Sequence, residues 1–131
     1  MTWFWVMIGS AIGGVARYGL SGWATTHISD TFPIGTLIVN ISGSFVIGFI
    51  AALTGPDGRV FASSDTRQFL MTGICGGYTT FSSFSLQTLN LANDAEWARA
   101  GANVVLSVVL CLVAVWLGFI AANALNQFKG A

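Results

Sequence analysis

The chain has 131 residues, 54% of them hydrophobic and only 8% charged, with a net charge of zero. A soluble domain carries about 25% charged residues, so the composition excludes an ordinary soluble protein and points to an all-α integral membrane protein. The zero balance leaves no electrostatic case for nucleic acid.

The first predicted element covers residues 3–23. At 1.5 Å per residue it spans roughly 30 Å, the thickness of the hydrocarbon core. Trp3, Phe4 and Trp5 at one end and Trp23 at the other are expected interfacial anchors. It has no Lys or Arg ahead of its apolar core and runs too long for a signal-peptide core, so it is expected to be retained. Gly9 and Gly13 form a small-xxx-small pair that lets helices approach closely. Arg17 lies nearly two turns inside the far end. It either snorkels to the interface or lines an aqueous mouth that draws in anions. The following polar loop, 24–32, holds His27, the only histidine, as a solvated surface residue.

A second span is predicted over 33–53, with Pro33 at its start, where a missing N–H costs nothing. Asn40 and Ser44, four apart, share a face. Gly43 and Gly48 are close-packing positions. A buried Asn either bridges helices or turns its NH₂ donors toward an anion. Residues 54–66 form a loop with a turn at Gly55-Pro56-Asp57-Gly58, and Asp65 or Thr66 is expected to cap the next helix.

The third span, 67–91, contains Gly73-Ile74-Cys75-Gly76-Gly77-Tyr78-Thr79-Thr80-Phe81-Ser82-Ser83-Phe84-Ser85. Glycine costs roughly 1 kcal/mol against alanine inside a helix, so Gly76-Gly77 marks an expected break, and the third helix is expected to be interrupted near Gly76-Thr79. Backbone freed at membrane depth is tolerated only where it faces protein, an ion or a water-filled cavity. The alternative is close packing, with Ser and Thr bonding back to the preceding turn. Phe81 and Phe84 share a face three residues apart. Their rings are either plain packing or present positive edges to a small anion.

The fourth span covers 98–124. Asn103, Ser107 and Cys111 repeat every four residues, as helix–helix glue or as part of a pore wall. Cys75 and Cys111 lie in apolar segments without metal-ligand spacing and are expected as buried small residues. The whole chain, 1–131, is therefore expected as one four-helix transmembrane domain.

With four spans, Arg59, Arg67 and Lys129 fall on one side. Arg99, joined by Arg17 if it snorkels, falls on the other. That is a poor positive-inside bias, as expected of a protein that inserts both ways and pairs as an antiparallel homodimer. All five carboxylates, Asp30, Asp57, Asp65, Asp94 and Glu96, lie in loops or at span edges. Proton-coupled carriers need such a group within the membrane as a relay, so passive conduction is expected over antiport.

These residues resemble a known family, the small fluoride channels called Fluc or CrcB. The resemblance covers nearly the whole chain. It rests on Gly13-Gly14-Val15-Ala16-Arg17-Tyr18, on Gly35-Thr36-Leu37-Ile38-Val39-Asn40, and above all on the run from Gly73 to Ser85. It implies an antiparallel, dual-topology homodimer in the cell membrane with two fluoride pores. It implies a structural sodium ion at the dimer centre, held by backbone carbonyls of Gly76 and Thr79. Phe81 and Phe84 correspond to the paired pore phenylalanines and Asn40 to the pore asparagine. Arg17 is similar to the basic residue of the vestibule, and Thr80, Ser82 and Ser83 match the polar track, with Ser107 beside it on the fourth span. Two departures stand out. Cys111 is a weak donor where polar side chains are common, and Ser83 replaces a common Thr.

Three other readings compete. A small proton-coupled or drug exporter needs a membrane-embedded carboxylate. An intramembrane serine protease needs a His or Lys base beside Ser82, Ser83 or Ser85, so no enzyme is expected. A non-conducting assembly protein accounts for the glycines but not for five hydroxyl residues between Thr79 and Ser85.

Overall fold

The computed structural model describes residues 1–128; Lys129 lies outside the described residues. The regular elements among them are all helical, with no strand: α1 (Thr2–His27), α2 (Ile34–Leu53), a segmented third rod, and α6 (Trp97–Gln127). The third rod consists of α3 (Ser64–Gln68), a π-helical stretch Phe69–Cys75, α4 (Gly76–Tyr78) and α5 (Phe81–Asn93). By length and composition α2 and α6 are each able to cross a membrane.

Glycine sets the packing. On α1, a Cβ at Gly9 would lie 2.6 Å from the Phe69 carbonyl oxygen, and one at Gly13 only 2.2 Å from that of Ile74. The facing rod answers with its own four-residue spacing: a Cβ at Gly77 would lie 2.6 Å from the Ser10 carbonyl. Backbone thus lies on backbone, the close approach that small-xxx-small pairs permit. The α2–α6 contact is built alike, with Gly48 against Val115 and Gly118 against Phe45.

Several boundaries differ from expectation. α1 continues to His27, which therefore ends a helix rather than sitting in a loop. Its Nδ1 pairs with the Trp23 carbonyl at 2.9 Å and its ring stacks on Trp23. The cap of α3 is Ser63, whose hydroxyl accepts from the Thr66 amide. Asp65 instead accepts from the Thr2 hydroxyl, tying the start of α1 to the third rod. Gly55-Pro56-Asp57-Gly58 is a turn as expected, with Gly58 N–H donating to the Gly55 carbonyl.

The break falls at the C-terminal end of the expected interval. Gly76 and Gly77 are still helical; Gly77 packs backbone-on-backbone against Ser10, while Gly76 is exposed. The chain leaves the helix at Thr79 (φ −88°, ψ 159°) and Thr80 (φ −153°, ψ 121°), both extended. The π-helical stretch just before it is a second irregularity, of a kind common at functional sites.

Candidate functional site

The break is held from outside by one side chain. Asn40, on α2, donates from Nδ2 to the Thr80 carbonyl (2.9 Å) and accepts at Oδ1 from the Thr80 amide (2.8 Å). As the N-cap of α5, Thr80 keeps its carbonyl on that helix; its amide has lost its helical partner, and Asn40 takes that amide and adds a second bond to the Thr80 oxygen. Thr80 in turn caps α5: its Oγ1 accepts from the Ser83 amide at 3.1 Å. The Thr80 amide would ordinarily close the helical turn onto the Gly76 carbonyl. Diverted to Asn40, it leaves that oxygen without its usual donor. Gly76 is exposed, and Thr79 lies outside both helices with its carbonyl closing no helical turn.

Around this break lies a cavity of about 410 Å³. Its walls include Asn40 and Ser44 from α2, Gly76, Thr79 and Thr80 from the break, Phe81 and Phe84 from α5, and Ser107 and Cys111 from α6. The Phe81 and Phe84 rings are tilted at 54° with centroids 5.3 Å apart. Phe81 is 78% exposed, so this side of the cavity is open.

The polar groups divide into committed and available ones. Thr79 Oγ1 donates to the Cys75 carbonyl. Asn103 Nδ2 donates to Thr88 Oγ1 (2.9 Å), which donates to the Phe84 carbonyl (2.8 Å), and Ser107 Oγ makes a long 3.5 Å contact to Asn103 Oδ1. The α6 stripe therefore acts as glue to the helix that carries Phe84, while Ser107 and Cys111 also face the cavity. Asn40 keeps its second Nδ2 hydrogen, Ser44 has its hydroxyl free of any described partner, and Thr80 and Ser82 share a 3.3 Å contact between hydroxyls. These are donors, the groups an anion needs.

The structure thus brings seven of the expected residues to one cavity: Asn40, Gly76, Thr79, Thr80, Phe81, Phe84 and Ser107. Ser82 and Ser83 do not line it; the Ser83 amide supports the cap, and Ser82 is exposed. Arg17 lies elsewhere, donating from Nε to the Gly77 carbonyl at 3.1 Å. It is neither snorkelling freely nor in the cavity, and it neutralises the carbonyl end of α4. The expected set omitted Ser44, Tyr78 and Thr88. Ser44 was signalled by its four-residue spacing from Asn40. The Tyr78 hydroxyl meets Ser42 Oγ at 2.8 Å, which sequence spacing gave no means to foresee.

Residues 4–119 match the model of a family described as CrcB-like protein, Camphor Resistance (CrcB). This chain belongs to the CrcB family. A CrcB relative from Opitutus terrae, named fluoride-specific ion channel FluC, is 58% identical over 98% of both chains. Relatives of the same name from Methylocella silvestris (55% identical over the full length of both) and Rhodospirillum rubrum (59% identical over 97% of this chain and 98% of the other) match comparably. The relatives are named ion channels, and two helices here are long and apolar enough to cross a bilayer; together these make this CrcB chain a membrane protein.

Proposed function

We propose that this protein is a fluoride-selective channel giving passive export across the cell membrane, as a multi-pass antiparallel homodimer with two pores. The observation that carries this reading is the cavity at the break, where two phenylalanine rings and unspent N–H and O–H donors stand together. The relatives' shared name supports fluoride as the ion.

Fluoride is small and strongly hydrated, so it enters only where donors replace its water. The remaining Asn40 N–H and the Ser44 and Thr80 hydroxyls supply hydrogen bonds. The edges of the Phe81 and Phe84 rings add weaker positive potential. Conduction requires many weak, closely spaced sites rather than one strong one, and uncharged donors meet that need. Arg17 supplies positive charge at the vestibule and attracts anions there. Ser82 and Ser83 extend the hydroxyl track along α5.

The open side beside Phe81 is where a second, oppositely inserted copy closes the pore. The carbonyls of Gly76 and Thr79 fit a structural sodium ion, because both are hard oxygen ligands without helical donors. When bound, the ion neutralises these oxygens at the dimer centre; the chain's own part is to present them.

The test is fluoride efflux from liposomes containing the purified protein, read with a fluoride electrode against a chloride control. Rapid fluoride release without chloride release is expected. No release from a folded protein overturns the channel reading and favours a non-conducting assembly protein.

A further inference from the structure

A second concave site lies far from the break along the chain, where the loop between α2 and α3 folds under the ends of α2 and α6. It encloses about 650 Å³ and is lined by Thr54, Arg59, Val60, Phe61 and Arg67, among others, and by no carboxylate. Both arginines are fixed in place but incompletely used. Arg67 donates from Nη1 alone, to the Thr54 carbonyl (2.6 Å) and hydroxyl (2.7 Å). Arg59 is anchored by its backbone amide to Asn126 Oδ1 (2.9 Å), and its side chain makes only a 3.4 Å contact from Nη1 to the Leu125 carbonyl. Neither forms an ion pair with a described residue; the nearest carboxylate in sequence to Arg67, Asp65, is engaged by Thr2. Asp57 lines a different cavity, on the α6 side of the loop.

Two guanidinium groups with spare N–H donors around one concavity match a phosphate, which accepts such forks in bidentate fashion. The neighbouring side chains identify the carrier. Phe61 is 96% exposed and Val60 is also exposed. In water that is a liability, but at a bilayer surface an aromatic beside a cationic pocket sits among acyl chains while the cations meet headgroups. We propose that this loop binds the phosphate of an anionic phospholipid, with Arg59 and Arg67 on the headgroup and Phe61 in the acyl region.

The test is native mass spectrometry of the purified full-length protein with phosphatidylglycerol, phosphatidylcholine or inorganic phosphate. The readout involves no flux, so it stands or falls independently of conduction. Wild type is expected to retain phosphatidylglycerol over phosphatidylcholine. Arg59→Gln is expected to lower that retention about tenfold, the effect of losing a charge-assisted hydrogen bond. Phe61→Ser is expected to lower it as well. Arg59→Lys, which keeps the charge without the fork, is expected to restore only part. Arg59 keeps its backbone anchor in each variant, and circular dichroism verifies the fold. Equal retention by wild type and Arg59→Gln overturns the proposal. Displacement of phosphatidylglycerol by millimolar inorganic phosphate overturns the lipid assignment in favour of a soluble phosphate.

Discussion

Asn40 and Thr80, forty residues apart, form a closed two-way pair in which one side-chain amide bonds both the N–H and the C=O of a single residue. The pair makes the break permissible, since an unpaired peptide at membrane depth costs several kcal/mol. It also exposes the Gly76 carbonyl, by diverting the amide that would have covered it. Support of the break and presentation of its oxygens therefore depend on the same residue.

Replacing that residue should damage fold and flux together. Asn40→Leu removes both bonds and leaves the Thr80 N–H without its partner, at about 1–3 kcal/mol for a buried group. Asn40→Asp keeps the acceptor but removes the donor and adds a negative charge facing an anion path. Thermal unfolding should show Leu as destabilising, and efflux should fall with both. Wild-type flux from Asn40→Asp would remove Asn40 from the pore.

Phe81 and Phe84 should separate from Asn40 in their effects. Phe81 is mostly exposed, so Phe81→Ile changes little buried area and should alter the stability of the chain by less than about 1 kcal/mol. Fluoride efflux should nonetheless drop by more than about tenfold, because the ring edge is lost. A variant that unfolds, or one that conducts normally, would return both rings to a packing role.

The contrast between Asn40 and the glycines explains what was legible in the sequence. Composition and the polar run Thr79–Ser85 pointed to long apolar helices and an irregular third rod, because hydropathy and helix cost are local properties. The interruption expected near Gly76-Thr79 falls at the end of that stretch, at Thr79-Thr80, because Gly77 stays helical where its backbone packs against Ser10 of α1. Nothing local to Ser82 or Ser83 distinguishes them from Thr80; which hydroxyl faces the cavity is set by the extended backbone at the break. Arg17 was legible as unusual, but its partner, the Gly77 carbonyl, is a tertiary fact.

The glycine interface gives a prediction about stability alone. Gly77→Ala places a methyl 2.6 Å from the Ser10 carbonyl, with backbone unable to yield cheaply. A cost of about 1–3 kcal/mol is expected, read as lowered thermal stability of the purified protein. Gly14→Ala meets nothing within 4 Å and should be neutral or stabilising, since alanine is the better helix former. Equal effects of the two would mean that the α1 contact contributes little.

Arg17 should act through charge more than through shape. Its Nε bond to Gly77 leaves the terminal nitrogens without a described hydrogen-bond partner. Arg17→Gln should reduce efflux several-fold at low ionic strength and less at high, because salt screens a steering charge. Arg17→Lys should retain most of the flux. A loss independent of salt would assign Arg17 to holding α4 rather than to attracting anions.

The last prediction concerns the proposed sodium ion, whose expected ligands mutation cannot delete. The oxygens of Gly76 and Thr79 belong to the backbone, so the site is tested by changing the cation. Replacing sodium with a bulky organic cation on both sides of the membrane should reduce fluoride efflux, and returning sodium should restore it. Asn40→Leu should weaken that sodium dependence, because the break that presents the Gly76 oxygen loses the side chain that holds it. Flux that is insensitive to the cation in wild type would leave these carbonyls as exposed backbone without an ion and would remove sodium from the proposal.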